Sequence, residues 1–513
     1  MSWIRPLSTE VDEPADVLGA KAAGLVLLRR LGLPVPPGFV VTTSAYRAFR
    51  QAGRLPDGLD GELATAIADL ERTTGRTFGG PGRPLVVSVR SGGEVSMPGM
   101  MSTVLNVGLT TGATAGLAAE TGDPRFALDS RLSLLTSFAA AIAEQGGPPL
   151  PDEAVGQLRL AVTAVLDSWD TPRARTYRQL HDVPDDLGTA VVVQAMVFGN
   201  RDPDSGTGVA FSRDPDTGEP MPFGEVLFGR QGDEVVSGRS LTRPLADLAE
   251  RLPAVWAALR QAMERIERHY RDACYLEFTV EAGQLWLLQV RPARFVGAAA
   301  VRLAVDLADQ GIIGRNAALL RISPGQLRQP RTPRLATVDE ADVLGRGRGA
   351  GPGVAVGRVA TTADRAARMA ATGPVILVRP ETSPLDLHGL AAAVGVVTAR
   401  GGPASHAAVV ARAMGKAAVV GVADLVVTDD TIRIGGRTIA EGTVIAVDGS
   451  AGIVVLGDPP ITGTGDDLHL RQLLDWADAV SGDSSDRPGD VRLEAAHAVL
   501  ARRQSASSGR RAH

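Results

Sequence analysis

The chain is predicted to be a multidomain protein of mixed α/β and α+β class, and three observations carry that expectation. Its 513 residues exceed one ordinary domain. At 44% apolar content it can bury several cores. Strand, glycine and helix signals alternate in two stretches, one before about residue 300 and one over 349–457, and a Pro/Arg/Gly-rich segment from Gln326 to Arg348 separates them. The net charge of −5 and pI near 5.9 give no electrostatic footprint for nucleic acid or an anionic membrane. No apolar run reaches the roughly 18 to 20 residues of a membrane span, and Met1-Ser-Trp-Ile-Arg-Pro6 is no signal peptide, so a cytoplasmic location is expected. The single cysteine, Cys274, excludes an internal disulfide and a cysteine-based metal cluster.

Val17 to Arg30 reads as a glycine-interrupted turn entering an amphipathic helix that stops at Leu31-Gly-Leu-Pro34. Pro36 to Thr43 gives a turn and a strand. Leu85 to Ser91 is another strand, delivering Arg90 into a small-residue loop, Ser91 to Thr103, whose backbone N–H groups can approach phosphate oxygens. Residues 111–187 are mostly helical by periodicity. Ala190 to Gly199 resumes the sheet, and Ser205 to Glu219 reads as turn, strand, turn. Leu276–Val280 and Leu285–Arg291 form a predicted hairpin joined at Ala282-Gly283, with Glu277, Gln289 and Arg291 on one face. A carboxylate and an amide oxygen on adjacent strands suit a hard cation such as Mg²⁺. Plainer readings stand beside these: a solvated helix residue for Lys21, an exposed strand carboxylate for Glu277.

Val301 to Arg321 is predicted as one amphipathic helix leading into the linker. Farther on, Val394 to Thr398 reads as a buried strand and Ala407 to Met414 as a helix closed by Gly415, with a Gly-Gly-Pro turn between them. His406 therefore falls in the first turn of a helix, where the positive dipole end disfavours imidazolium and favours an anion. A neutral imidazole there can attack phosphorus. Only two lysines, Lys21 and Lys416, stand among 53 basic residues, which marks both as positions where a compact ammonium is wanted.

The stretch Gly401-Gly-Pro-Ala-Ser-His-Ala-Ala-Val-Val-Ala-Arg412 resembles the phosphohistidine signature of the pyruvate, phosphate dikinase and phosphoenolpyruvate synthase family, Gly-Gly-Met-Thr-Ser-His-Ala-Ala-Val-Val-Ala-Arg. The resemblance runs from about residue 15 to 480. It implies an ATP-grasp-type nucleotide domain over 1–300 with a helical insert at about 111–187. A helix and linker over 301–348, a swivelling phosphohistidine carrier over 349–457, and a linker remnant with a disordered tail over 458–513 follow. It implies His406 as the phosphoryl carrier and Lys21, Arg90, Gly99, Thr103, Gln194, Glu277, Gln289 and Arg291 as ATP-binding residues. The strand of Gln194 would line the adenine pocket, and Glu277 and Gln289 would hold Mg²⁺.

Four positions depart from the family pattern: Ser102 for Asp, one displaced Arg131, Ala404 for the Thr two places before the histidine, and Tyr275 for an Asp near the metal. A raised Mg²⁺ requirement is expected from Tyr275. The family's third domain, a TIM barrel that binds pyruvate and phosphoenolpyruvate, finds no room after residue 480. The expected chemistry is therefore the ATP half-reaction, with Mg²⁺, to AMP and phosphorylated His406, the second phosphoryl group going to phosphate or water, while conversion of pyruvate to phosphoenolpyruvate is expected only with a separate barrel protein. The alternatives are a non-catalytic nucleotide-binding descendant of the fold and a phosphotransferase acting on a small-molecule acceptor.

Overall fold

The computed structural model describes residues 2–95, 97, 100–142, 149–180, 182–231, 242–327, 333–335, 342–403, 405–463 and 468–509. They form two compact units.

The first unit comprises Met1–Thr207, Phe228–Gln231 and Leu276–Arg291. Its antiparallel sheet runs in the order Ile4–Pro6, Gly38–Val41, Thr189–Ala195, Val87–Gly93, Thr103–Val107. The central strand carries Ala190-Val-Val-Val193, all fully buried, as a strand covered on both faces requires. Helix Ala15–Arg30 packs on the neighbouring strands. The segment expected as a helical insert forms helices Thr111–Thr121, Pro124–Ile142, Ala154–Asp167 and Pro172–Leu180. It is no detached cap: Phe126, Leu134, Leu158, Val165 and Trp169 share one core with Val87, Val89 and Val104. Buried Arg178 lies 4.4 Å over the Trp169 ring and donates from Nε to Asp185 at 2.7 Å. The predicted hairpin is present as Cys274–Glu281 and Gln284–Pro292, turning at Ala282 and Gly283, both with positive φ.

The second unit comprises Gly208–Leu227, Gly232–Tyr275 and Pro292–His513. Its main sheet has eight strands, ordered Val343–Arg346, Ile453–Leu456, Val444–Asp448, Val354–Ala360, Val375–Arg379, Gly395–Thr398, Ala417–Val420, Arg348–Gly351. Four of these, from Val354–Ala360 to Ala417–Val420, are parallel neighbours in chain order. Helices Ala363–Ala370, Leu387–Ala392 and His406–Ala413 make the crossovers. Apolar clusters fill both faces of this sheet, Ile376 and Val397 on one side and Leu377 and Val396 on the other. The loops at the carboxyl ends of the parallel strands gather at one edge, where open α/β sheets place their sites.

Three expectations are corrected. The helix predicted over 301–321 is two, Gly297–Asp309 and Arg315–Arg321, because the chain turns at Gly311 with φ 69°. Part of the expected linker belongs to the carrier sheet: Val343–Arg346 and Arg348–Gly351 form its edge strands. Pro333–Leu335 pairs with Ile461–Gly463, so the chain segments entering and leaving the carrier run antiparallel side by side. The tail expected to be disordered instead forms helices Leu468–Ser481 and Gly489–Gly509. Leu473, Trp476, Leu493, Ala496 and Leu500 recur at helical spacing and bury against Leu303 and Leu307, a sufficient apolar stripe to order a polar sequence.

Candidate active sites

In the first unit, Gly19 interrupts its helix at φ 76° and ψ 150°. A Cβ there would overlap the carbonyl oxygen of Gly92, so two glycines let the helix start touch the strand backbone directly. That contact carries Lys21 to the strand holding Arg90, and its Nζ donates to the Ser91 carbonyl at 2.9 Å. Arg90 Nη2 pairs with Glu277 Oε2 at 3.2 Å, and its Nη1 donates to the Leu288 carbonyl at 3.3 Å. The structure thus brings Lys21, Arg90 and Glu277 into one cluster. Burial, with Arg90 adding to it and Glu277 opposing, brings the Lys21 amine down to about 7. An anionic ligand would restore its proton.

Thr103 stands opposite Arg90 in the sheet register and is exposed. Gln289 and Arg291 are half-buried along the hairpin strand next to that of Glu277. Gly99 lies outside the described residues. Gln194 is buried and its amide donates to the Pro36 carbonyl at 3.0 Å, so its side chain secures a turn. Arg131 donates to Leu109 O and pairs with Asp152, and Ser102 is buried, with its N–H on Ser168 Oγ. Among the described residues no cluster of three or more acidic, histidine or cysteine side chains could hold a metal. Glu277, paired with Arg90, and Gln289 on the adjacent strand offer one carboxylate and one amide, a set that would fit Mg²⁺ only with phosphate oxygens and water as the remaining ligands.

Tyr275, the residue expected to weaken the metal site, lies in an apolar core. Its ring packs edge-on against Phe211 with centroids 5.1 Å apart, inside an apolar cluster with Phe295 and Val301.

In the second unit, His406 is the first helical residue of His406–Ala413, with Ser405 as N-cap. Ser405 makes no side-chain cap, and its buried Oγ has no hydrogen-bond partner among the described residues. His406 Nδ1 shares a hydrogen bond of 3.1 Å with Thr382 Oγ1, from the loop after the adjacent parallel strand. Burial lowers the imidazole pKa, with Asp386 pulling weakly the other way. Asp386 is itself engaged, accepting from Ser383 N at 2.8 Å and Oγ at 3.0 Å and facing Arg379 at 3.4 Å. Nδ1 is therefore occupied, and Nε2 is the nitrogen left for chemistry.

The turn before His406 is held from two sides. A Cβ at Gly402 would overlap the carboxylate of Glu225, a buried group that accepts from Thr242 Oγ1 at 2.5 Å and Arg348 Nη1 at 3.1 Å. Arg412, one helical stretch later, donates to the Pro403 carbonyl and grips Asp216 at 2.9 and 3.2 Å. Sequence reasoning missed Thr382, Glu225 and the Arg412–Asp216 pair. The only signal for Thr382 was its place directly after an apolar strand in a pattern of parallel crossovers.

Comparison with known proteins agrees with both halves. Residues 51–243 match the AMP/ATP-binding domain of pyruvate phosphate dikinase, and residues 371–452 match the mobile domain of phosphoenolpyruvate-utilising enzymes. A pyruvate, phosphate dikinase of Rhizobium meliloti is 39% identical over 526 residues. Over nine-tenths of its length the chain is similar to the pyruvate, phosphate dikinases. The Rhizobium alignment covers 91% of this chain and 59% of the relative. Pyruvate, phosphate dikinase 2 of Zea mays is 39% identical, covering 91% and 58%, and the dikinase of Clostridium symbiosum is 38% identical, covering 93% and 60%. The chain thus spans about three-fifths of the length of these dikinases. The matched mobile domain contains Thr382 and His406, while Lys21 and the Glu277 hairpin lie outside both matched segments. No helix among the described residues is long and apolar enough to cross a membrane.

Proposed function

We propose that this chain is an ATP-dependent phosphotransferase of dikinase type that phosphorylates His406. The observation that carries the reading is the pairing of His406 Nδ1 with Thr382 at 3.1 Å on a helix N-terminus. With Nδ1–H donating to Thr382 Oγ1, the neutral ring presents the Nε2 lone pair outward. Burial keeps the ring neutral at physiological pH. The N–P bond forms at Nε2 as the P–O bond to the AMP phosphate breaks, and helix N–H groups steady the new anion by about 0.3–1 kcal/mol. The terminal phosphoryl group leaves to phosphate or water.

On this reading Lys21, Arg90 and Arg291 neutralise the triphosphate, Gly99 and Thr103 belong to the small-residue loop whose sequence suits phosphate, and the strand of Gln194 lines the adenine pocket. Glu277 and Gln289 are the residues that would hold Mg²⁺, which when bound offsets phosphate charge. The acceptor site for pyruvate or phosphoenolpyruvate lies outside these 513 residues, on a separate barrel protein or on further chain. The cytoplasm is the proposed location, consistent with a lone buried cysteine. The test is labelling from ATP carrying ³²P at the β position: an acid-labile label is expected on the wild type and none on His406→Asn. Label persisting in that variant contradicts the assignment, and ATP binding without any label in the wild type identifies a non-catalytic nucleotide binder.

A further inference from the structure

Serine is among the residues that cap helix starts most readily, and elsewhere the chain uses the device: Thr110 accepts from Ala113 N and Thr362 from Arg365 N at their own helix starts. Ser405 holds the same position before His406–Ala413 and makes no cap. Its side chain is only 7% exposed, and its Oγ has no hydrogen-bond partner among the described residues. Gly401, at φ 100°, lies beside it. A Cβ there would stand 2.9 Å from the Ser405 Oγ, and apart from the glycine's own chain neighbours only Ser405 among the described residues comes within 4 Å of that point. Room for one more atom therefore opens at hydrogen-bond distance from an unspent O–H. A buried hydroxyl without a partner lowers stability, so its retention directly before the nucleophile calls for a form of the chain in which it is paired. By making no cap, Ser405 also leaves the helix start to an anion.

We propose that Ser405 is a phosphoryl-binding residue, its Oγ–H donating to an oxygen of the phosphoryl group carried on His406. The inference rests on reading His406 as the phosphoryl carrier. Phosphorylation of the ring brings acceptor oxygens to the helix start, one residue from a donor that has none. The new bond favours the dianion of the group over the monoanion, because the hydroxyl donates to the added charge. Loading satisfies the hydroxyl that the free chain leaves unpaired, and transfer to an acceptor gives that bond up again.

The experiment loads the full chain from ATP and Mg²⁺ and, separately, from phosphoramidate, which phosphorylates histidine without a nucleotide site. The bound phosphoryl group is titrated by ³¹P NMR, its resonance identified by its loss in His406→Asn. Ser405→Ala is expected to raise the pKa of that group by about 0.4–1 pH unit over wild type, the worth of one hydrogen bond. Ser405→Cys, a weaker donor of similar size, should fall between. Asp386, the charged group acting on the ring, is the same in all three chains, so the difference isolates the hydroxyl. Unphosphorylated Ser405→Ala should melt no lower than wild type, since it loses no hydrogen bond. Equal phosphoryl pKa values in wild type and Ser405→Ala, or a lower melting temperature for that variant, overturn the proposal. Loading of His406 by phosphoramidate but not by ATP, with the expected difference at Ser405, supports the serine's role and contradicts the ATP reading. No loading of His406 by either donor overturns both.

Discussion

Replacing Thr382 with Val removes the oxygen 3.1 Å from His406 Nδ1 while keeping a β-branched side chain of nearly equal size. The lost hydrogen bond is worth about 0.5–1.5 kcal/mol, and at 1.4 kcal/mol per decade the fraction of ring in the reactive tautomer and orientation falls about 2- to 12-fold. Single-turnover phosphorylation of the histidine should slow by that factor while ATP affinity stays unchanged, and Thr382→Ser should recover most of the rate. Nitrogen-15 NMR of the imidazole should show the wild type protonated at Nδ1 and the variant a mixture. Because burial lowers the His406 pKa, the wild-type rate should persist below the ordinary histidine value of 6.5 before protonation removes the nucleophile. The stability sign follows: the neutral ring's contribution is complete above 6.5 and declines as pH falls through the lowered folded value. An unchanged rate together with an unchanged tautomer in Thr382→Val would refute the positioning role.

Three further outcomes follow from the packing. Tyr275→Asp should leave the Mg²⁺ dependence of ATP binding unaltered and lower stability by about 3–5 kcal/mol, read by urea denaturation, since it removes a ring packed on Phe211 and buries a carboxylate among apolar side chains; an eased Mg²⁺ requirement would return Tyr275 to the metal site. Gly402→Ala should depress His406 labelling because its methyl meets the Glu225 carboxylate, and Glu225→Ala in the same chain should restore part of the loss; no rescue means the two residues do not collide. Trp476→Ala should cost about 3–5 kcal/mol, and hydrogen exchange should report loosening of Leu468–Ser481 and Gly489–Gly509 together; an unshifted transition would mean the C-terminal helices do not pack on Gly297–Asp309.

Local signals in the chain were enough to place the His406 helix start, where a Gly-Gly-Pro turn separates a β-branched strand from an alanine-rich helix, and the hairpin turning at Ala282-Gly283. Partners brought together by sheet register were not legible. Thr382 lies 24 residues from His406 and reaches it only because two parallel strands are neighbours. Glu225 meets Gly402 across a far longer separation. Flat alternation puts Tyr275 on the face of Glu277, two residues away, yet its ring packs in an apolar cluster with Phe211, as a twisted strand end allows. The C-terminal helices were hidden by polar residues surrounding a narrow apolar stripe, whose meaning appears only once Leu303 and Leu307 are seen to need cover.

The central claim, that ATP delivers a phosphoryl group to His406, is tested most directly by rapid-quench analysis of a single turnover with Mg²⁺ and excess ATP. The wild type should release a burst of AMP equal to the concentration of chain, with one phosphoryl group recovered on the peptide containing His406. His406→Asn should bind ATP with similar affinity and give no burst. A stoichiometric burst from His406→Asn, or a wild-type burst with the phosphoryl group on another residue, would contradict the account.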